Sequence, residues 1–472
     1  MSETKRSLNL FDTIMLVSGS MIGSGIFIVS ADMVRVLGSP FWVLFCWILS
    51  GVITLFAALS YGELAGMMPA AGGQFIYLQR AYGKLTAFVY GWTVFTVIQT
   101  GVIAAVAVAF ARFVGVLVPF FDESNILFAI GKLSVSSTQV LGIALIMFLT
   151  FLNSRGINNG KIIQRVFTSA KIMALLGVII IGFVAGAKNS YWQQNIQLNF
   201  SPLLENTVTD FNTGTLLSAL GVALIGSLFS SDAWNNVTFI AGEIKDPKKN
   251  IPLGLLIGVL LVTVLYILAN VAYFILLPAH GSPEGNTVIE RGIAYAQNDR
   301  VGTAALSAVF GNFASYLMAV LIIISTFGCN NGLILAGARL FQSMANDNLF
   351  FKTAASLNKY GVPSKALWIQ AGWASVLCLS GSYGALLDYC TFASLVFYII
   401  TISSVFYFRV KEPNAERPYK AFGYPVIPLL YIIITLGICI DLLIFKPQNT
   451  AWGLLIMCIG IPVYFLFTRN KN

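Results

Sequence analysis

Charge is what this sequence most lacks: only 10% of its 472 residues are Asp, Glu, Lys or Arg, against about 25% in an ordinary soluble chain. With 57% hydrophobic residues and a mean hydropathy of +0.81, most of the chain has to lie in a bilayer. Histidine is nearly absent. The single His280 falls in a polar stretch between apolar segments, so a histidine-based metal site or proton relay has almost nothing to be built from. Cys46, Cys329, Cys378, Cys390, Cys439 and Cys458 all lie inside apolar segments, which excludes a disulfide framework in the loops. No cleavable signal peptide is evident, because the first residues are polar and the apolar segment after them is too long for an h-region. No cofactor and no metal are expected.

What the sequence has is apolar length. Twelve segments are candidate spans: about 9–37, 41–67, 85–118, 138–153, 162–186, 214–241, 251–277, 303–338, 366–381, 384–408, 425–445 and 450–468. A span needs about 17–25 residues, so the fourth and ninth are short, while the third and eighth are long enough to tilt. With the N-terminus inside, twenty of the 28 Lys and Arg fall in inner segments; six fall outside, namely Arg35, Lys132, Lys188, Arg291, Arg300 and Lys446. Arg112 and Lys171 lie within spans; Arg112 is near enough to the outer end to snorkel. The positive-inside rule then places both termini in the cytoplasm of a multi-pass protein of the cell (inner) membrane. The same bias accounts for the net charge of +9 without a nucleic-acid partner. The expected division is a tail over 1–8, of which 1–7 is expected to be disordered, a first five-helix repeat over 9–186, an outer loop over 187–213, a second five-helix repeat over 214–408, a linker over 409–424, and helices eleven and twelve with the C-terminal tail over 425–472.

The chain is organised around residues 17–28, VSGSMIGSGIFI. Glycine costs about 1 kcal/mol against alanine in a helix, so the first span is expected to break there. A break in hydrocarbon survives only where protein or a polar cavity satisfies its backbone, which suggests a midplane site for a small polar solute. A close helix crossing through small residues is the other reading. A second polar interruption occupies residues 227–236 of the sixth span, with Ser230, Ser231, Asp232, Asn235 and Asn236 and no proline. Breaks five spans apart give two halves of opposite orientation. The expected fold is therefore an all-α polytopic membrane protein of twelve transmembrane helices, with a 5+5 inverted repeat and broken helices 1 and 6.

Lys171 stands ten residues into the fifth span, about 14 Å along a helix rising 1.5 Å per residue. Such a charge favours an interior role over a stem that reaches the inner surface. Asp232 is either a ligand contact or a structural hydrogen-bonding acid. Residues 69–83, PAAGGQFIYLQRAYG, suit a short amphipathic or re-entrant helix, as an interfacial anchor or a gate. Ser325, Thr326, Asn330 and Asn331 form a stripe expected to line the same cavity, whereas Asp388 and Asp441, near span ends, read as solvated. Spans eleven and twelve stand outside the repeat and are expected to pack or oligomerise. With span one starting inside, its second half presents amides and a positive dipole end, suited to a carboxylate. The first half of span six ends in carbonyls that suit an ammonium. One zwitterion satisfies both, so a free amino acid is the simplest solute, moved by rocking of spans one, two, six and seven against the rest.

GSMIGSGIF at 19–27, PAAGGQFIYLQRAYG at 69–83 and FSSDAWNNVTFIAGEIKDPKKNIP at 229–252 resemble the amino acid-polyamine-organocation superfamily, and most nearly its L-type amino acid transporter branch. The resemblance implies a LeuT-type fold and sodium-independent exchange of amino acids. It also implies that the amides of Ser24 and Gly25 bind the substrate carboxylate. The carbonyls of Met21 and Phe229, with the position of Asp232, would receive the ammonium, and Phe229 would be the aromatic gate. Lys171 matches a lysine that the family places near the broken first span, where sodium-coupled relatives hold a cation. Animal members join a heavy chain through a cysteine in the loop after span three. Residues 119–137 contain none, so no disulfide-linked heavy chain is expected. Asp232 stands where many members selective for large neutral substrates have glycine, and does not by itself settle the substrate.

An enzyme is not expected, because Glu63, Lys171 and Asp232 are scattered and no nucleophile and base are paired; nor does the sequence offer a charged ring or filter that would suggest a channel. The leading expectation is exchange of neutral amino acids, and the alternative is a proton-coupled or cationic amino acid permease.

Overall fold

The computed structural model describes residues 6–130, 133–187, 190–198, 213–380 and 383–469. Helix α1 (Leu10–Met21) is fixed at its start by a reciprocal cap, in which Asp12 N donates to Asn9 Oδ1 at 2.9 Å and Asn9 N donates to Asp12 Oδ2 at 3.0 Å. It stops after twelve residues, at the glycine- and serine-rich stretch. Ile22 is extended, a 3₁₀ turn runs over Gly25–Phe27, and α2 (Val29–Leu37) resumes the path. The expected break is present.

Helix α3 (Pro40–Met67) opens with proline in its first turn, where the missing N–H costs nothing. The turn after it leads into the short α4 (Gln74–Tyr82). The third span is continuous but not uniform: α5 (Lys84–Thr93) passes through a π-helical segment, Val94–Ile98, into α6 (Gln99–Leu117). The next loop adds a short hairpin that the sequence does not announce to an otherwise helical chain: β1 (Ile126–Ile130) pairs antiparallel with β2 (Leu133–Ser136). Helices α7 (Ser137–Ser154) and α8 (Ile157–Gly186) follow. Of the expected loop 187–213, the short α9 (Trp192–Ile196) is seen; residues 188–189 and 199–212 lie outside the described residues, as do 1–5 of the N-terminal tail. The end of that tail is tied down, which corrects the expectation of disorder at Ser7: Ser7 N and Leu8 N donate to Glu243 O at 2.9 and 3.0 Å, and Lys245 N donates to Leu8 O at 2.8 Å.

Helix α10 (Thr213–Ser230) ends further along than the sequence suggests, and the interruption covers 231–235, before α11 (Asn236–Phe239) and a 3₁₀ turn over Ala241–Glu243. Ala233 takes φ = 65° there, a left-handed conformation with a cost of order 1–3 kcal/mol for a residue bearing Cβ. Helix α12 (Pro247–Leu276) follows, then the short α13 (Val288–Arg291). The eighth apolar segment is a second correction. It is two helices, α14 (Val301–Phe310) and α15 (Phe313–Asn346), separated at Gly311, and α15 runs eight residues past 338. Helices α16 (Ser364–Ser380), α17 (Tyr383–Lys411), α18 (Val426–Phe445) and α19 (Pro447–Arg469) complete the chain.

Among the described residues nine helices have the length and hydropathy to cross a bilayer, which makes this a polytopic membrane protein. Packing places the broken helices at the centre. Helix α1 contacts α12, α8 and α15; α10 contacts α2, α3, α17 and α18. Helices α18 and α19 pack on α17, α3 and α5 and leave most of their apolar surface outward.

Candidate functional site

The end of α1 exposes carbonyls that helical geometry leaves without partners, and side chains from three other helices supply donors. Lys171 on α8 donates through Nζ to Gly19 O and, at 2.8 Å, to Ile22 O. Ser325 Oγ on α15 lies 3.3 Å from both Ile22 O and Gly23 O, and Cys329 Sγ lies 3.2 Å from Ser20 O. Tyr266 on α12 reaches the second break as well, its hydroxyl 3.1 Å from Met21 O and 3.1 Å from Ser230 O. One hydroxyl proton can serve only one carbonyl at a time, so Tyr266 couples the two breaks through a shared donor. Close approach of the breaks also needs Gly25, where a Cβ would come within 3.3 Å of Ser230 Cα.

Lys171 is 1% exposed, and none of the ion pairs among the described residues includes it. Its ammonium is therefore held by carbonyl dipoles at the break, the chemistry by which a protein holds a bare cation.

Asp232 is brought to a different surface. Its Oδ1 accepts from Tyr398 Oη at 2.5 Å and its Oδ2 from Ser394 Oγ at 3.3 Å, both on α17. Tyr398 Oη is also 3.2 Å from Asn235 Oδ1; Asn235 Nδ2 donates to Gln74 Oε1 at 3.0 Å, and Gln74 Nε2 to Thr401 Oγ1 at 2.8 Å. Asp232 lies between two small cavities. One is lined by Gln74, Tyr90, Gln99 and Asn235, the other by Thr54, Ser231, Trp234 and Tyr431, with Ser394 and Tyr398 in both walls. The π-helical segment contributes Val94 and Ile98 to the first. Gln74 reaches this network because Gly73, at φ = +45°, lets the α3–α4 turn press against α11, where a Cβ would stand 2.8 Å from the Thr238 carbonyl carbon. Gly72 N donates to Phe239 O at 2.9 Å in the same contact. Residues 69–83 are thus packed under the second break.

The residues named from sequence fall into two groups. Met21, Ser24, Gly25 and Lys171 belong to the first break, and Ser24 and Met21 are buried. Phe229 is half-buried at the end of α10, with its carbonyl accepting from Asp232 N at 3.1 Å. Asp232 faces α17 and the cavities. The stripe on α15 needs correction: only Ser325 reaches the break, Thr326 bonds its own helix, and Asn331 accepts from Asn153 Nδ2 through Oδ1 at 3.0 Å and donates through Nδ2 to the carbonyl of Gly160 at 3.2 Å. Asp441 is half-exposed and only partly solvated, with its Oδ2 buried beside Gly221; the side chain of Asp388 lies outside the described residues. Glu63 is structural, bonded to Arg409 at 2.7 Å, Arg417 at 3.2 Å and Ala421 N at 2.7 Å.

Sequence reasoning missed Tyr266, Tyr398, Ser394 and the role of Gln74. A tyrosine in an apolar run carries no local sign of a carbonyl 245 residues away. Tyr266→Phe is expected to lower transport about tenfold or more, because a buried carbonyl stripped of its donor costs about 1–3 kcal/mol and about 1.4 kcal/mol is a factor of ten. Initial rates of substrate uptake by the purified variant in liposomes test this, and an unchanged rate would show the shared donor to be dispensable.

Comparison with known proteins gives this geometry a family. Residues 8–466 match the family described as amino acid permease. The chain is 28% identical over 474 residues to the Asc-type amino acid transporter 1 of Mus musculus, covering 99% of this chain and 82% of that protein. It is 28% identical over 466 residues to the cystine/glutamate transporter of Homo sapiens, covering 98% and 86%. It is 26% identical over 470 residues to the serine/threonine exchanger SteT of Bacillus subtilis (strain 168), covering 99% and 98%. With a match that runs almost from end to end, and with the two helix breaks at its centre, the chain belongs to the amino acid permease family of the amino acid-polyamine-organocation superfamily, among transporters of the L-type branch.

Proposed function

We propose that this protein is a sodium-independent exchanger of neutral L-amino acids, working by alternating access on a LeuT-type fold of twelve transmembrane helices with a 5+5 inverted repeat. The observation that carries this is the first break with Lys171 seated on its carbonyls. A fixed ammonium there takes the place of a bound cation and removes the need for sodium.

The substrate carboxylate would sit at the amides of Ser24 and Gly25, where a 3₁₀ turn begins and presents the positive end of its dipole. Its ammonium would meet the carbonyls of Met21 and Phe229, with Phe229 closing over it. Each carbonyl already has a donor, Tyr266 for Met21 and Asp232 N for Phe229, and keeps a second lone pair for the substrate. Asp232, held by Tyr398 and Ser394, tunes this end. The bias of basic residues puts the N-terminal face in the cytoplasm. The names of the relatives support amino acids as cargo, and that of the Bacillus subtilis relative supports exchange. The loop 119–137 has no cysteine, consistent with a transporter that needs no disulfide-linked heavy chain.

Purified protein in liposomes, given a radiolabelled neutral amino-acid mixture, is expected to take up label only when amino acid is present inside, equally in sodium and sodium-free buffer. Uptake into empty liposomes that follows a proton gradient would replace exchange with proton-coupled uptake. Competition by lysine and arginine would indicate a cationic substrate, for which the half-buried carboxylate of Asp232 is the available counter-charge.

A further inference from the structure

On the face opposite the N-terminus, α13, the turn before α14, and the adjoining ends of α6 and α15 enclose a polar cavity. Arg291, Arg300, Thr303 and Ser315 are in its wall. This face has few basic side chains, and others there are neutralised. Arg35 pairs with Asp299 at 2.7 Å and Asp32 at 3.4 Å, and Arg112 pairs with Glu123. Neither Arg291 nor Arg300 forms an ion pair among the described residues. Arg291 Nε donates to Gly285 O at 2.6 Å, and the Arg300 guanidinium lies over the Phe113 ring, 5.1 Å from its centroid. The Thr303 hydroxyl is buried and has no hydrogen-bond partner among the described residues. Burial, and then the nearby Arg112, hold the Arg300 guanidinium below its ordinary pKa, with Asp122 and Glu123 offsetting this only in part; an anion in the cavity would offset the remainder.

Two unpaired guanidinium groups and an unused hydroxyl suit a phosphate, which accepts the planar N–H fork of arginine on two oxygens. The side of the cavity identifies which phosphate. Next to Ser315 and along α14, the aromatic residues Phe310, Phe313 and Tyr316 are 46%, 69% and 54% exposed, as side chains at the lipid interface are. We propose that this cavity holds the phosphodiester head group of a phospholipid, with Arg291 and Arg300 as its cationic ligands and the Thr303 hydroxyl as a further donor. The glycerol and upper acyl chains then lie against Phe313 and Tyr316. In the orientation proposed above the lipid belongs to the outer leaflet, and only that detail rests on the functional reading.

Native mass spectrometry of the full-length protein in detergent, titrated with phosphatidylglycerol, tests the site independently of transport. The wild type is expected to retain one phosphatidylglycerol more than the Arg291→Gln/Arg300→Gln protein at the same lipid concentration, with at least tenfold tighter binding. Diacylglycerol, which lacks the phosphate, is expected to bind the two proteins equally. Equal retention of phosphatidylglycerol, or displacement of it from the wild type by millimolar inorganic phosphate, would overturn the lipid assignment. If the double variant is not monodisperse, Thr303→Val carries the test: weaker retention supports the site, and unchanged retention removes it.

Discussion

Exchange by a Lys171→Ala protein is expected to fall to about one hundredth of wild type or below, while the protein still inserts and purifies as a monodisperse species. The ammonium donates to Gly19 O and Ile22 O, both in the buried break. Removing it takes the ammonium from Gly19 O and leaves Ile22 O with only the longer contact from Ser325, at about 1–3 kcal/mol for a buried carbonyl stripped of its donor, where about 1.4 kcal/mol is a tenfold change. It also removes the positive charge that takes the place of a bound cation. The loss should therefore appear in the exchange rate rather than in membrane insertion, because α8 keeps a long apolar surface with alanine at 171. Lys171→Arg keeps the charge but places a larger planar group in a fully enclosed position, and is expected to restore only part of the rate. Counterflow of radiolabelled amino acid in liposomes, normalised to reconstituted protein, measures both variants. Wild-type kinetics for Lys171→Ala would remove the residue from the mechanism.

The break in the first span was legible because glycine and serine weaken a helix by local physics that needs no knowledge of the fold. The second break was legible, and the observed interruption at 231–235 lies inside the expected 227–236, with only its start set too early. Ser227 and Ser230 looked like helix breakers, but their hydroxyls bond back to Leu224 O at 3.1 Å and Gly226 O at 2.8 Å within α10, so the helix continues through them. The chain turns instead around Ala233, and alanine, the best helix former, announces no such turn. The division at Gly311 was hidden because apolar residues continue on both sides and length alone read as tilt. Lys171 was legible as a costly charge, and its partners lie where the first break predicts. The partners of Asp232 were not. Tyr398 and Ser394 lie more than 160 positions away in an apolar helix, and only packing reveals them. The same holds for Gln74, whose motif was noticed but whose docking under α11 depends on tertiary contact.

A Glu243→Gln protein is expected to open at its N-terminal face, cytoplasmic in the proposed orientation, and to exchange at least tenfold more slowly. Three acids on that face belong to the elements proposed to rock: Asp12 on α1, Glu63 on α3 and Glu243 just after α11. Their partners lie on or beside the elements proposed to stay: Lys161, 3.0 Å from Asp12, with Arg165, on α8; Arg409 on α17 and Arg417 in the following linker with Glu63; and Arg339 on α15 with Glu243. The last pair is the most buried, with side chains 3% and 5% exposed. Breaking a buried pair from one side costs about 3–5 kcal/mol, because the remaining charge stays uncompensated. That cost falls on the closed arrangement alone, so it shifts a two-state balance by about a hundredfold or more. Ser7 and Leu8 donate to the carbonyl of Glu243 itself, so opening there should release the N-terminal segment too. Hydrogen–deuterium exchange followed by mass spectrometry is expected to show faster uptake in peptides covering 6–9 and 235–245 of Glu243→Gln. The charge-swapped Glu243→Arg/Arg339→Glu protein restores opposite charges across the same gap, and is expected to recover both protection and rate in part. A swap as impaired as the single variant, with protection unchanged in both, would make this pair an ordinary structural contact and leave closure of that face to Asp12 and Glu63.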